Sequence, residues 1–549
     1  MKSYHNVIWA AAILFLVSCN SQRDFSYAEE CIKIEDMKNY ISVLASDDLQ
    51  GRFPGTTGEE KTINYLADQF KQIGALPGNG NRYFQEVPLI KITPEKEFSL
   101  KITGGNQTLN LSNGSDFIGG TPLPQENINI ENSDIVFIGY GINAPEYGWN
   151  DYEGIDVKGK TVLVLVNDPG YVTKDTALFM GNAMTYYGRW VYKYEEAARQ
   201  GATGAIIIHE TAAASYPWGV VQNSWTGSRF FLANNPITSS SLKFQSWISN
   251  ENARKLFAQA GYNFDSTIRS AANKGFKPID LKQKASINFK NTVEYVKSNN
   301  VVALLLGSDR KDEYIIYAAH WDHFGINPEF KGDSILNGAL DNATGTAALL
   351  EIAAAFKSLK EVQDRSILFM AVTCEEQGLL GSEYYCDNPI YPLNKTVAVI
   401  NMDALNIFGR TKDMAIAGLG YSELDNYAIE ILKNKGRYVI GDSNPEQGGY
   451  YRSDHFSFAK VGVPSINISF GDDNIEHGKE WSQENMMKWI MENYHKPSDN
   501  YEPEKWKFDG MIEDLKVYFE LGYNLSTTDK FPNWHQGIPY RIKRDEMMK

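Results

Sequence analysis

The sequence predicts an α/β protein: a mixed, mainly parallel sheet flanked by helices on both faces, with a smaller inserted domain. Strand-like runs at 301–305, 314–319, 366–372, 396–400 and 465–468 are continuously apolar instead of alternating. Strands that read this way are buried on both faces, as in a parallel sheet between helical layers. Helical stretches separate them, above all the Ala- and Leu-rich segment 344–359. The polar residues that could do chemistry come just after the strands. They therefore gather at the carboxyl ends, where open α/β sheets bind ligands.

A chain of 549 residues exceeds what one core serves, so more than one domain is expected. Residues 20–130 contain the turn-rich phrase Leu49-Gln50-Gly51-Arg52-Phe53-Pro54-Gly55 and a helical pattern at 59–73, stopped by Gly74 and Pro77. The segment 131–285 has strand runs at 134–140 and 161–166. Its helical stretch at 193–200 leads through Gly201-Ala202-Thr203-Gly204 into a buried strand at 205–208. Nothing in it supplies a metal cluster, and a lid or spacer is the expected role. The main domain covers 286–525, and 526–549 form a C-terminal tail.

Lys2 precedes an apolar run at 7–17, too short to span a bilayer comfortably, so residues 1–19 read as a signal peptide. Cys31, Cys374 and Cys386 are too few for a disulfide framework, which leaves a Cys374–Cys386 bridge open. The formal charge of −15, from 68 acidic against 53 basic residues, comes with no Lys/Arg block. That argues against a nucleic-acid partner.

Behind the strand at 314–319 stands His320-Trp321-Asp322-His323. Gly338-Ala339-Leu340-Asp341 opens the Ala-rich helix, Glu375-Glu376 follows 366–373, and Asn401-Met402-Asp403 follows 396–400. Tyr494-His495 lies in a loop near the domain's end. Singly these have ordinary readings: Asp341 as a helix N-cap, the Glu pair as a solvated turn. Gathered in one crevice, two His and several carboxylates make a ligand set that suits zinc.

These phrases resemble the co-catalytic di-zinc aminopeptidase family, which also includes glutamate carboxypeptidase and the transferrin receptor fold. Segment 131–285 resembles the protease-associated domain inserted in several secreted peptidases. The resemblance implies two zinc ions: His320 and Asp403 on one, Glu376 and His495 on the other, Asp341 bridging. It also implies Asp322 orienting His320, Glu375 as general base and later proton donor, and Tyr494 stabilising the oxyanion. Physics agrees with this division, since a carboxylate has two oxygens for two cations. Neighbouring residues of an extended segment also point opposite ways, which separates Glu375 from Glu376.

The phrase Tyr451-Arg452-Ser453-Asp454-His455-Phe456 reads as pocket wall, with His455 not a ligand. Arg452 would meet a substrate carboxylate or pair with an acidic neighbour. Leu16-Val17-Ser18-Cys19 resembles the bacterial lipoprotein box. It implies acylation at Cys19 and an exported, membrane-anchored protein of the bacterial cell envelope.

The expected activity is an aminopeptidase acting on peptides or proteins, because the carboxylates make the cleft negative and favour an ammonium. A carboxypeptidase of the same fold is the alternative. An inactive receptor-like homologue is disfavoured by the intact Glu375 and five ligands. A single-zinc glutaminyl cyclase-like enzyme is disfavoured by the joint presence of His320, Asp341 and Asp403. A serine hydrolase is disfavoured by the lack of a Gly-x-Ser-x-Gly elbow.

Overall fold

The computed structural model describes residues 25–549, so the signal-peptide and Cys19 readings lie outside the described residues. The strand Arg310–His320 shows why the apolar runs are continuous. Its Ile315, Tyr317 and Ala319 pack on one face against Leu66, Leu350 and Phe519, from the helices Thr57–Ile73, Thr344–Lys357 and Phe508–Thr527. Its Tyr314, Ile316 and Ala318 pack on the other face, with Phe458 of the helix His455–Lys460. Alternate side chains point to opposite faces and both are covered, leaving no polar face for the sequence to show.

This strand is central. It pairs in parallel with Arg365–Val372 on one side and Thr396–Asn401 on the other. Ser465–Phe470 adds in parallel beyond Thr396–Asn401. Asp413–Ala417 then joins antiparallel, followed by Tyr438–Gly441 at the edge. Beyond Arg365–Val372 lies the antiparallel end of a 27-residue strand, Ile279–Leu305. The sheet is thus mixed and mainly parallel, with helices on both faces, as predicted. The edge strands Asp413–Ala417 and Tyr438–Gly441 lie outside the predicted set. Both are short, and the second is not fully buried, so neither makes a continuous apolar run.

The long strand is shared by two sheets. Its later part pairs with Phe84–Pro94 in the sheet just described. Its earlier part pairs with Asn127–Phe137 and Ser99–Thr103 in the second. That second sheet runs Asn127–Phe137, Thr161–Leu165, Gly204–Ile208 and Phe244–Ile248, all parallel, with Phe117–Gly120 antiparallel at its edge.

Its first strands precede residue 131. Leu100, Ile102 and Phe117 belong to its core, so the second unit begins about thirty residues earlier than the sequence places it. Short half-buried strands show which face is apolar but not which sheet they join, because the partner is distant in sequence. Cys374 and Cys386 are both buried free thiols, so no bridge joins them. Among the described residues no helix is long and apolar enough to cross a membrane.

Candidate metal centre

The candidate residues converge where the parallel strands end. His320 closes Arg310–His320, Glu375 and Glu376 come just past Arg365–Val372, and Asp403 just past Thr396–Asn401. Asp341 sits in the turn before Thr344–Lys357, and His495 follows the helix Gly478–Asn493. Asp341 does not cap the helix: the N-cap is Ala343, without a side-chain hydrogen bond.

Three of these sites adjoin non-glycine residues in left-handed backbone: Cys374 (φ 54°), Ala404 (φ 56°) and His495 itself (φ 54°). Such conformations cost roughly 1–2 kcal/mol each. They turn the chain sharply at the strand ends, and strain of this kind clusters at functional sites. Gly338 (φ 53°) is a related case. A Cβ there would meet the Asp341 carbonyl oxygen and, at 2.5 Å, the His323 ring, so only glycine lets these segments approach.

The Asp341 carboxylate lies between two histidines. Its Oδ1 is 3.3 Å from His320 Nε2 and its Oδ2 is 3.3 Å from His495 Nε2. Asp403 Oδ1 stands 3.4 Å from His320 Nε2, and Glu376 Oε2 3.2 Å from His495 Nε2. Charge-assisted hydrogen bonds are shorter, about 2.7–2.9 Å. Two ligands at about 2.0–2.1 Å from a tetrahedral zinc, however, stand about 3.3–3.4 Å apart along the tetrahedron's edge. His495 Nε2 is buried without a hydrogen-bond partner. His320, Asp341 and Asp403 fall within metal-binding reach of one another, and so do His323, Asp341 and Glu376. The donor set fits a divalent cation on each side of Asp341.

The charges fit as well. Burial works against each ionised group, yet His320 is held well above the usual imidazole range by Glu375, Asp403 and Asp341. Burial is likewise outweighed at His495, pushed up to about 10 by Glu376 and Asp341. Glu376 is held down at about 2 against its own burial, chiefly by His495. The crevice demands positive charge, which the imidazoles carry as protons and a bound cation would supply instead. Glu375 behaves oppositely: burial first, then Glu376 and Asp403, raise it well above the carboxylate range, with His320 opposing.

Around these groups the structure places the other candidates. Asp322 is fully buried beside His320, whose Nδ1 is 3.2 Å from the Asp322 backbone oxygen and 3.9 Å from its Oδ1. The Asp322 carboxylate accepts the Glu375 amide at 3.0 Å, tying two strand ends together. The Tyr494 ring stacks on His495 with centroids 3.7 Å apart and stays 39% exposed. Arg452 donates from Nη2 to the Gln447 oxygen at 2.7 Å, while its buried Nε has no partner. Its neighbour Ser453 donates to Asp403 Oδ2 at 2.6 Å, so the 451–456 phrase touches the centre through Ser453. His455 is buried against Tyr450, and burial pushes it down to about 3, consistent with a neutral wall residue.

Three contributors had no role assigned from the sequence. His323 Nδ1 lies 2.7 Å from Glu376 Oε1, which adds a third histidine to the His495 side. Asp499 accepts the Leu340 amide at 2.9 Å and the Asp341 amide at 3.2 Å, clamping the Asp341 turn to the His495 loop.

Arg52, 1% exposed, donates to four backbone carbonyls: Trp321 (2.7 Å), Leu44 (2.6 Å), Asn337 (2.5 Å) and Gly338 (2.9 Å). It thus fixes both the segment after His320 and the one before Asp341. The turn-rich phrase at 49–55 was visible in the sequence, but three of the four partners of Arg52 lie more than 260 residues away.

Residues 300–519 match the family model described as peptidase family M28. The chain is 31% identical over 232 residues to aminopeptidase YwaD of Bacillus subtilis, covering 41% of this chain and 43% of that one. It is 32% identical over 223 residues to the mouse aminopeptidase NAALADL1, covering 36% and 28%. The chain thus spans less than half the length of these curated relatives. An aminopeptidase from Aneurinibacillus sp. strain AM-1 superposes with a TM-score of 0.54 at 18% identity, over 92% of this chain and 97% of that one, which shows a shared fold. The chain carries a metallopeptidase domain. That domain, residues 300–519, is similar to peptidase family M28.

Arg52→Met should leave four carbonyls without their donor. A loss of about 3 kcal/mol or more in urea denaturation is expected, together with weaker zinc binding in a competitive chelator titration. Arg52→Lys should recover part of both. Wild-type zinc affinity in a folded Arg52→Met protein would disprove this positioning role.

Proposed function

We propose that this chain is an exported exopeptidase that binds two zinc ions and removes residues from the N-termini of peptides. The observation that carries it is Asp341, with one oxygen 3.3 Å from each of two histidines. His320 and Asp403 would hold one ion, Glu376 and His495 the other, and Asp341 both. His323 is placed to support the second. Zinc so held supplies a Lewis acid for the scissile carbonyl and an acidified water, with a pKa near about 7.

The chain's own groups do the rest. Glu375, half-buried and not engaged by a basic side chain at hydrogen-bonding distance, takes the proton of the attacking water and delivers it to the leaving amine. Asp322 fixes the Glu375 backbone. Ser453 holds the Asp403 carboxylate. Tyr494, stacked on His495, offers its hydroxyl to the developing oxyanion. The acidic wall of Glu375, Glu376 and Asp403 favours an α-ammonium over a carboxylate next to the metals. Export and anchoring rest on the 7–17 apolar run and on Cys19 as the acylated residue.

Asp341→Ala should lower bound zinc, measured by metal analysis, and abolish turnover. Glu375→Gln should keep its zinc while kcat falls by roughly 10²–10⁴. Full zinc occupancy in Asp341→Ala, or near-normal turnover in Glu375→Gln, would refute the assignment.

N-acetylation of a good peptide substrate should nearly abolish cleavage. Undiminished cleavage of the blocked peptide would transfer the activity to the carboxyl end.

Cys19→Ser should stop incorporation of labelled palmitate and release the protein from the membrane fraction. A wild type that takes up no label contradicts the anchor.

A further inference from the structure

Ser453 donates to Asp403 Oδ2 at 2.6 Å and in turn accepts from Asn401 Nδ2 at 2.7 Å. The chain on either side of Ser453 is gripped by the second unit. Upstream, Met184 N donates to the Pro445 oxygen at 2.9 Å and Asn182 Nδ2 to Glu446 Oε2 at 3.0 Å. Asn167 Nδ2 reaches the Glu446 backbone oxygen at 3.4 Å. Met184 also lies so close to Gly448 that a Cβ there would stand 2.6 Å from its Sδ. Nearer Ser453, the Tyr186 ring packs on Tyr451 before it and on Phe456 after it, with centroids 6.0 and 5.0 Å apart. The Tyr186 hydroxyl donates to Glu195 at 2.9 Å, and Glu195 meets Lys460 at 3.8 Å.

The loop that grips is closed at its base. Asp168 accepts the amide and the hydroxyl of Thr185 at 2.8 and 2.7 Å. Beside it Asn167 is buried and held in left-handed backbone at φ 69°. Its amide donates to the Gly188 oxygen at 3.0 Å, and its own oxygen accepts the buried Lys193 ammonium at 2.8 Å. Its Oδ1 accepts the Asp168 amide at 2.8 Å, and its Nδ2 donates to the Ala213 oxygen at 3.0 Å besides reaching Glu446. A non-glycine residue keeps such a conformation only where its surroundings over-determine it. Groups that hold a metal ligand from outside set its orientation, and a hydroxyl can do so only if its own backbone is fixed.

We infer that the second unit is a brace for the metal centre, with Asn167 and Tyr186 as positioning residues that act on Asp403 through Ser453. The inference rests on the two-zinc reading of that centre. Its consequence is one-sided. Ser453 touches Asp403, which shares an ion with His320. The Glu376 and His495 side is fixed by other groups: His323 stands 2.7 Å from Glu376, and Asp499 clamps the His495 loop to the Asp341 turn. Loosening the brace therefore weakens one zinc and spares the other.

Asn167→Gly tests this, because glycine accepts the left-handed backbone and keeps the main-chain bonds while the side chain is lost. In a competitive chelator titration of the zinc-loaded full chain, one of two binding steps should weaken by roughly tenfold or more, with the other unchanged. Amide hydrogen exchange at 445–453 should quicken in the same variant. In a Ser453→Ala background Asn167→Gly should add nothing to the zinc loss, since residues that act through one another are not additive. Should Asn167→Gly fail to fold, Tyr186→Leu is expected to give the same pattern. Faster exchange with both zinc steps unaltered, or both steps weakened alike, would overturn the brace. So would an undiminished Asn167→Gly effect in the Ser453→Ala background. A wild type that binds a single zinc would instead overturn the two-metal reading, and unchanged exchange at 445–453 in Asn167→Gly would still overturn the brace.

Discussion

Repulsion among carboxylates is the constraint around which this molecule is organised. Asp322, Asp341, Glu375, Glu376, Asp403 and Asp454 meet at the mouth of the parallel sheet, Asp322, Asp341 and Asp454 buried and the others half-buried. Charges so placed cost several kcal/mol each unless compensated. The compensation is layered. Histidines stand at ligand distance from the carboxylates, backbone amides point at Asp322 and Asp499, and hydroxyls of Ser382 and Ser453 meet Asp454 and Asp403. Arg52 adds a buried positive charge behind the cluster while bonding only to carbonyls. It stabilises the acidic crevice without neutralising any carboxylate the chemistry requires.

The same constraint accounts for the backbone. Groups that repel must be delivered from separate elements, each turning sharply to present one side chain and then leave. Left-handed residues at Cys374, Ala404 and His495 make three of these turns. None is glycine, so the surrounding packing holds the strain. The rigid sheet beneath supplies that packing, with both faces of Arg310–His320 in dense apolar clusters.

The second unit belongs to the same design. The 27-residue strand Ile279–Leu305 runs through both sheets, which makes the junction a shared element instead of a flexible linker. Its loop 182–189 rests on the segment that ends at Arg452 and Ser453.

Much of this was legible in the sequence, for definite reasons. Burial on both faces forces continuous apolar runs, so Arg310–His320, Arg365–Val372, Thr396–Asn401 and Ser465–Phe470 showed themselves, and the residues after them marked the crevice. Residue chemistry then marked the histidines and carboxylates there as a set suited to zinc, and the family resemblance singled out His320, Asp341, Glu375, Glu376, Asp403 and His495 among them. The short strands before residue 131 and at the sheet's far edge did not show their partners, because pairing is chosen by distant chain. His323 was ambiguous because the chain leaves the strand at His320 and period-two reasoning stops there. The amino-acid sequence by itself determined which residue types follow which buried strands, since burial and ligand chemistry are written locally. Only the tertiary structure decided that Arg52 and Asp499 brace the centre, since those contacts join segments 159 to 286 residues apart and leave no periodic trace.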